Sequence, residues 1–404
     1  MKKLTAILLS LTLLLCGCDS SAAGATNLME DVPVRIVCLA KHPDRSTEVT
    51  DFAVRLFQTC LIDEKNTLIS PLSVLSALGM TANGADGETL SQMETVLGSD
   101  REKLNYYLYS LMDGQSEQLK LANSIWFRDH DLTVKDVFLE TNANYYQADM
   151  FQAPMDTATL DAINRWVEEH TDGMIPEILK KLDPDTVMCL INALSFDAKW
   201  EDVYESHQVG ESTFTLENGI PLTVEYMKST EHAYLEDENA TGFIKYYEGR
   251  NYAFVALLPK EGMTVAEYAE TLTGEGLQAL LSSPQDIVTY ATMPKFEMEY
   301  DVNMAYFLQD MGMMDAFNED TADFSQLGTS ENGNIYISKV IHKTRISVAE
   351  EGTKAAAITA VIAAEGAAAP IEDYRRVTLD RPFVYMLIDC RENVPIFIGT
   401  LMDP

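Results

Sequence analysis

The sequence lacks the local motifs that mark the common classes of catalytic site. It contains no Gly-x-Ser-x-Gly nucleophile elbow, no His-Glu-x-x-His zinc motif and no Walker phosphate-binding loop. Its histidines are dispersed along the chain, and its carboxylates show no spacing that would mark an acid–base pair. An enzymatic function therefore has little support, and we expect neither a metal site nor a cofactor.

Basic residues are scarce as well. The chain of 404 residues has 29 Lys and Arg against 63 Asp and Glu, which gives a formal net charge of −34. Because nucleic acids are bound through clustered Lys and Arg, this balance argues against a nucleic-acid partner. Hydrophobic residues make up 47% of the chain, enough for a sizeable core. No internal repeat or long low-complexity linker divides residues 49–404, which we interpret as one α+β domain.

The N-terminus has the features of a bacterial lipoprotein signal. Two lysines precede an apolar stretch, residues 6–15, that is too short to span a bilayer comfortably. The sequence Leu15-Cys16-Gly17-Cys18 then resembles a lipobox, in which cleavage precedes a cysteine that becomes lipidated. Cys18 fits this role better than Cys16, because a small residue stands directly before it. An ordinary signal peptide with incidental cysteines is the alternative.

This N-terminal signal predicts where the protein is found. We expect residues 1–17 to be removed, Cys18 to carry lipid, and residues 18–48 to form the lipidated N-terminus and tether. The mature protein would then be exported and lipid-anchored at the cell surface or extracellular. A lipid at Cys18 would make the membrane a binding partner.

The four other cysteines show no metal-binding or redox motif. They lie far apart, without Cys-x-x-Cys spacing or a histidine at ligand spacing, which makes a structural zinc site improbable. Three lie in apolar runs and are predicted to be buried free thiols, although an exported protein could form disulfides whose pairing the sequence leaves open. The four are Cys38, Cys60, Cys189 and Cys390.

Periodicity of apolar residues predicts a mixture of helices and strands. Ser70 followed by Pro71 is typical of a helix start, with the serine as N-cap. Helical spacing predicts further helices over 51–61, 160–170 and 304–311. Apolar runs predict strands over 186–196 and 335–348, a hairpin of 243–247 with 253–258, and a final pair, 383–389 with 396–401.

One segment near the C-terminus has an unusual composition. After a strand-like run, the chain continues with a glycine, a threonine and a series of alanines. In a strand, alternate side chains share a face, and the face that begins at Thr353 carries only small or β-branched residues up to Ala363. Such a face could be buried in a sheet, and Gly352 would supply a backbone hinge. An alanine-rich helix is the alternative.

Several motifs along the chain accompany this segment. They are Asn66-Thr67-Leu68-Ile69-Ser70-Pro71, the strand ending in Lys199-Trp200, Ala322-Asp323-Phe324-Ser325, Ile341-His342-Lys343-Thr344, Arg381-Pro382-Phe383 and Pro395-Ile396-Phe397-Ile398-Gly399. In this order they resemble the motifs of the serpins, a family of suicide inhibitors of serine proteases, and the resemblance spans residues 49–404, essentially the whole body of the chain. Its most specific element is the hinge, which consists of Glu350, Glu351, Gly352, Thr353, Lys354, Ala355, Ala356 and Ala357.

This resemblance implies a fold and a mechanism. Serpins are single α+β domains with three β-sheets, eight or nine helices and an exposed reactive loop, here about residues 350–376. The target protease cuts that loop and forms an acyl-enzyme, and the cut loop then inserts into the central sheet and distorts the covalently attached protease. The resemblance also implies a shutter, where the sheet must part, and a breach, where the loop enters. Matching residues are Ser70, Ser73, Asn192 and His342 for the shutter and Trp200 for the breach.

The scissile bond is predicted only to within a few residues. The family's usual spacing, counted from Glu350, gives Gly366–Ala367, whereas counting back from Pro382-Phe383 gives Ile371; Ala364 and Glu365 are further candidates. The stretch from 361 to 369 is rich in small residues and has no Lys or Arg. These residues favour elastase-like or subtilisin-like targets.

The expected partner is therefore a serine protease held covalently by a monomeric inhibitor. A non-inhibitory serpin that acts as a surface binding protein is the main alternative. The absence of bulky, charged or proline residues from most of the hinge argues against it, although Lys354 departs from the acidic residue common there. An inhibitor of cysteine proteases that uses the same trapping mechanism is a further possibility.

Overall fold

The computed structural model of the chain describes residues 24–35, 37, 45–62, 64–113, 117–353 and 373–404. Nine α-helices lie in these ranges: α1 (Ser46–Cys60), α2 (Pro71–Ala82), α3 (Gly87–Leu97), α4 (Arg101–Asp113), α5 (Asp136–Tyr146), α6 (Thr157–His170), α7 (Val265–Thr271), α8 (Gly274–Ser282) and α9 (Ala305–Asp310).

The described residues form nineteen strands. In the first half of the chain they are β1 (Thr26–Asn27), β2 (Thr67–Ile69), β3 (Leu119–Arg128), β4 (Leu132–Val134), β5 (Asp149–Ala153), β6 (Met188–Phe196) and β7 (Ala198–Lys199). The rest are β8 (Val209–Thr215), β9 (Pro221–Glu236), β10 (Ala240–Tyr246), β11 (Tyr252–Pro259), β12 (Gln285–Pro294), β13 (Phe296–Asn303), β14 (Gly328–Ser330), β15 (Lys339–Val348), β16 (Gly352–Thr353), β17 (Tyr374–Thr378), β18 (Phe383–Asp389) and β19 (Val394–Leu401).

The strands form three sheets. The first, which we call the central sheet, has eight strands in the order β1-β5-β3-β6-β15-β16-β7, with β13 paired to β15. The second has nine strands in the order β17-β12-β9-β10-β11-β18-β19-β2, with β8 paired to β9. The third is the two-stranded pair β14-β4. Strands and helices thus mix without a repeating β-α unit, as expected of an α+β domain.

Most of the core lies against the second sheet. Strands β11, β18 and β19 are buried along their whole length, and helix α2 is buried on every face. The elements therefore form one continuous apolar cluster that reaches the central sheet. A smaller cluster lies under α6, where Trp166 and Ile163 pack near Cys189 of β6. Helix α6 therefore covers part of the central sheet.

Local sequence signals predicted these elements well. Ser70 caps α2 as expected, because its hydroxyl accepts a hydrogen bond from the Ser73 amide at 3.3 Å. The predicted hairpin is β10 with β11, and the predicted final pair is β18 with β19, both antiparallel. The strand expected over 335–348 is shorter, since β15 begins only at Lys339. Arg375 and Arg376, at the end of the segment that resembles a reactive loop, lie on β17.

The N-terminal residues of the described part are tied to the central sheet. Strand β1 pairs with β5, and the Leu28 amide donates to the Met150 carbonyl at 2.8 Å. The Arg35 amide then donates to the side chain of Asn144 on α5 at 2.6 Å. A short part of the segment predicted as a tether therefore adds an edge strand to the fold.

The described cysteines are free thiols. Cys60 and Cys189 are buried, and burial raises the pKa of each thiol to about 12. Cys390 is only half-buried, which differs from the expectation of full burial, yet its pKa is also raised to about 12 by burial. Among the described residues, no helix is long and apolar enough to cross a membrane.

Candidate functional site

The central sheet contains a slot between two of its strands. Strand β15 pairs in parallel with β6 from Lys339, opposite Cys189, to Lys343, opposite Ala193. Beyond Lys343 this pairing stops, and at the far end β16 lies between β15 and β7. At this mouth of the slot, β15 and β7 are therefore separated by the width of one strand.

The two sides of the slot stay in register with each other. Where β15 and β6 pair directly, each β15 residue faces the residue 150 positions earlier, as His342 faces Asn192. The same offset holds at the mouth of the slot, where Thr353 pairs with Val348 on one side and Ala198 on the other. A strand that continued β16 towards the paired ends of β15 and β6 would therefore find backbone hydrogen-bonding partners in register on both edges.

The hinge begins this strand. Thr353 is 2% exposed, and its hydroxyl forms a hydrogen bond of 2.5 Å with the hydroxyl of Tyr247. The chain reverses direction just before β16, where the Ala349 amide donates to the Gly352 carbonyl at 3.0 Å. Part of the hinge is thus already inserted, and Thr353 has the buried orientation that the alternation of small residues predicted.

The glycine at position 352 is required for a reason other than the one expected. It was predicted as the hinge where the backbone turns, and it closes that turn as its last residue, but it is also the first residue of β16 and lies beside β7. A Cβ atom at this position would collide with the carbonyl oxygen of Ala198 on β7. Close approach of two strands, rather than conformational freedom, therefore explains the glycine.

Trp200, the residue predicted for the breach, lies at the mouth of the slot. Its ring stacks on Tyr247 with centroids 4.3 Å apart, and its indole N–H donates to the Ala349 carbonyl at 2.8 Å. Its backbone amide donates to the Glu351 carbonyl at 2.9 Å. Trp200 therefore binds both sides of the turn that precedes β16. Tyr247, which sequence reasoning did not identify, links this tryptophan to Thr353.

Glu350 is held by an ion pair. Lys295 donates to its carboxylate at 2.8 Å and also contacts Glu225 at 3.0 Å. Burial alone would raise the pKa of Glu350, but the hydrogen bond and charge of Lys295 hold that pKa below its usual value. No local sequence signal indicates Lys295, because it lies 55 positions before its partner.

The four predicted shutter residues come together at the end of the slot where β15 and β6 pair directly. Ser70 and Ser73 begin α2, while Asn192 and His342 face each other across β6 and β15. The Ser70 amide donates to Nε2 of His342 at 3.1 Å, which fixes this nitrogen as an acceptor. All four are at most 2% exposed. Burial lowers the pKa of His342 to about 3, so the ring is neutral near pH 7.

Asn123 is a fifth member of this polar cluster. It faces Asn192 from β3, and the Asn192 amide donates to its side-chain oxygen. Among the described residues, four buried atoms of the cluster have no hydrogen-bond partner: Ser73 Oγ, Asn123 Nδ2, Asn192 Oδ1 and His342 Nδ1. The cluster therefore retains hydrogen-bonding capacity in this arrangement. A lone amide within the strand-like run 119–128 was the signal that could have identified Asn123.

Other predicted site residues lie outside the described ranges. These are the hinge residues Lys354, Ala355, Ala356 and Ala357, the reactive-bond candidates Ala364, Glu365, Gly366, Ala367 and Ile371, and the lipidation site Cys18, together with Cys38. In the part of the chain that is described, no group of three or more His, Cys, Asp or Glu residues is arranged to hold a metal ion.

Comparison with known proteins assigns the family. The family model described as serpin (serine protease inhibitor) matches residues 47–404. Leukocyte elastase inhibitor A of Mus musculus is 31% identical over 385 residues, which cover 89% of this chain and 99% of that protein. The chain therefore belongs to the serpin family, whose members are in general protease inhibitors and not enzymes.

Two crystal structures of a thermophilic serpin, tengpin, allow a comparison of conformations. The native state is 46% identical, with a TM-score of 0.90 over 94% of this chain and 100% of that chain. The latent state, also 46% identical, has a TM-score of 0.79 over 90% of this chain and 99% of that chain. The fold described above is thus more similar to the native than to the latent form of that serpin.

The buried, neutral His342 predicts a dependence of stability on acid. Its pKa is lowered by burial in the folded protein, whereas an unfolded histidine titrates near 6.5, so acid favours the unfolded chain, which binds the proton more readily. Stability is fully present above about pH 6.5 and is lost as the pH falls towards 3. At pH 4.5 we expect a loss of about 3 kcal/mol in the free energy of unfolding.

Urea unfolding of the wild type and of His342→Gln between pH 7.5 and 4.5 measures this effect. The difference in the free energy of unfolding between the two proteins should become smaller as the pH falls, because glutamine cannot titrate. A gap that stays constant over this range would contradict the assignment of a neutral buried ring.

Proposed function

We propose that the chain is an irreversible suicide inhibitor of serine endopeptidases. The observation that carries this proposal is the slot in the central sheet, where the described residues Gly352 and Thr353 lie between β15 and β7 while β15 and β6 still pair directly at the other end. The two edges of the slot are in register with each other, and β16, which contains the first residues of the loop, lies between them at the mouth. A sheet prepared to accept a strand is what trapping by loop insertion requires.

The shared register indicates which loop residue would lie beside the shutter after insertion. If β16 continued between β15 and β6 in the register observed at Thr353, Thr359 would lie between His342 and Asn192. Insertion must separate the pairs from Lys343 to Lys339, and a hydroxyl would then arrive beside two buried polar side chains with unused hydrogen-bonding atoms. The shutter would accordingly hold the closed sheet and bind the inserted strand afterwards.

Trapping follows from the size of the movement. Protease attack on the loop gives an acyl-enzyme, and insertion then drags the attached protease along the sheet. Catalysis by a serine protease depends on precise placement, so that even about 1 Å of misplacement can cost on the order of 100-fold in rate. A distorted protease cannot complete hydrolysis, and the complex stays covalent.

Thr353→Arg should convert the inhibitor into a substrate. The position is 2% exposed and its hydroxyl binds Tyr247, so an arginine would place an unpaired charge inside the sheet. Burying such a charge costs several kcal/mol, which would stall insertion while the protease completes hydrolysis. The measurement is a denaturing gel of inhibitor mixed with protease, on which the band of the covalent complex should disappear.

Thr353→Ser is the matched control, since it keeps the hydroxyl and the small size. It should form complexes as the wild type does. Stable complexes with Thr353→Arg would show that the start of the loop need not enter the sheet.

The target is proposed to be a serine protease with a small primary pocket. The reactive bond is assigned to residues 364–371, with Gly366–Ala367 as the first choice, and this region contains no Lys or Arg. Arg375 and Arg376 are unsuited to the role because they lie on β17, where Arg375 pairs with Thr289. Elastase-like or subtilisin-like enzymes therefore fit better than trypsin-like ones.

A panel of proteases tests both the activity and the target class. The protein without residues 1–18 should be mixed separately with elastase, subtilisin, chymotrypsin and trypsin. It should give SDS-stable complexes with elastase or subtilisin. Mass spectrometry of the released C-terminal peptide should place the cut within 364–371. Complexes with trypsin alone would overturn the target class, and clean cleavage by every protease would overturn inhibition.

We propose further that the inhibitor is a monomer anchored outside the cell by lipid at Cys18. The anchor is supported by the two N-terminal lysines, the apolar stretch 6–15 and the lipobox-like sequence before Cys18. Expression of the full chain in a bacterial host with a radiolabelled fatty acid should label the wild type but not Cys18→Ala. Equal labelling of both proteins, or labelling of neither, would remove the basis for the anchor.

A further inference from the structure

A buried ion pair lies directly behind the mouth of the slot. Lys245 on β10 is 2% exposed, and its ammonium group donates to Glu231 on β9 at 3.0 Å. It also donates to the carbonyl oxygen of Asp202 at 3.1 Å. Burying two charges costs much of the free energy that their attraction returns, so such a pair is weak evidence for a role in stability. Its surroundings point to a different role.

The ammonium group of Lys245 faces two aromatic rings. It lies 4.6 Å from the centroid of Tyr204 and 5.5 Å from that of Trp200. Both distances are within the range of a cation–π interaction, which is strongest when the cation is removed from water. Trp200 is in turn stacked on Tyr247 with the planes 13° apart. The cation therefore lies at the base of the aromatic group that borders the slot.

These two rings belong to residues that hold the hinge. The Tyr204 amide donates to the Glu350 carbonyl at 3.0 Å, and the Trp200 amide donates to the Glu351 carbonyl at 2.9 Å. Trp200 also reaches the Ala349 carbonyl through its indole N–H. Three consecutive carbonyls of the turn before β16 are thus bound by the two residues on which Lys245 packs.

We propose that Lys245 is a positioning residue for loop insertion. By holding Trp200 and Tyr204 against β10, it keeps residues 349–353 docked in the mouth of the slot and so determines how readily the hinge leaves or advances. Glu231 neutralises the cation, which lets it remain buried at the aromatic faces. This inference rests on the loop-insertion mechanism proposed above, and it assigns a role to Lys245 and Glu231, which lie outside the serpin motifs in the sequence.

Three variants separate a positioning role from a structural one. Lys245→Met removes the cation but leaves Glu231 without its partner. Lys245→Met with Glu231→Leu removes both charges and fills the site with apolar atoms, which repairs any defect caused by the unpaired carboxylate. Lys228→Met is the matched control, because it removes the same charge from an exposed position on the same strand as Glu231.

Hydrogen–deuterium exchange of the intact proteins gives the direct readout. The amides of Trp200 and Tyr204 should exchange about tenfold faster in both Lys245 variants, because their acceptors in the hinge are held less firmly. Exchange of β19 should be unchanged, and Lys228→Met should match the wild type throughout. A synthetic peptide with the sequence of residues 350–363 should also enter the central sheet faster in both Lys245 variants.

Two results would overturn the proposal. One is wild-type exchange near Trp200 in the double variant, which would mean that only the unpaired Glu231 had mattered. The other is exchange that rises equally across β19, which would indicate general destabilisation. Neither measurement involves a protease, so failure of the wild type to inhibit any protease would contradict the proposed function without deciding the role of Lys245.

Discussion

The separation of two strands in the central sheet is the constraint on which the rest of the structure depends. Strands β15 and β6 pair at one end, while β16 holds β15 and β7 apart at the other, in the same register throughout. A strand added between them would pair along both edges and bury its small side chains. The arrangement is therefore poised to gain hydrogen bonds and buried surface once the loop is free to move.

Two groups of side chains keep the sheet in this state, and they differ in chemistry. At the closed end, the neutral polar cluster around His342 is buried and only partly hydrogen-bonded, so rearranging it costs little. At the open end, the backbone amides of Trp200 and Tyr204 hold carbonyl groups of the hinge, and Lys295 holds the carboxylate of Glu350. Under the proposed mechanism, the first group would release one strand and accept another, while the second would control when the loop starts to move.

The structural elements that could be predicted from the sequence are those that depend on local signals. The cap at Ser70, the hairpin of β10 and β11 and the terminal strand pair follow from neighbouring residues, and the order of motifs identified the family. Partnerships between distant residues were missed, because Lys295 with Glu350 and Tyr247 with Thr353 are adjacent only in the folded chain. The reason for Gly352 was also misjudged, since the neighbouring strand that excludes a side chain there has no local signature.

A crystal structure of the protein after cleavage of its loop would test the account most directly. If the slot is a preformed site for the loop, residues from Thr353 onward should form a complete strand between β15 and β6, with Thr359 lying between His342 and Asn192. A cleaved chain in which β15 and β6 remain paired, or in which the loop inserts in another register, would contradict the central claim.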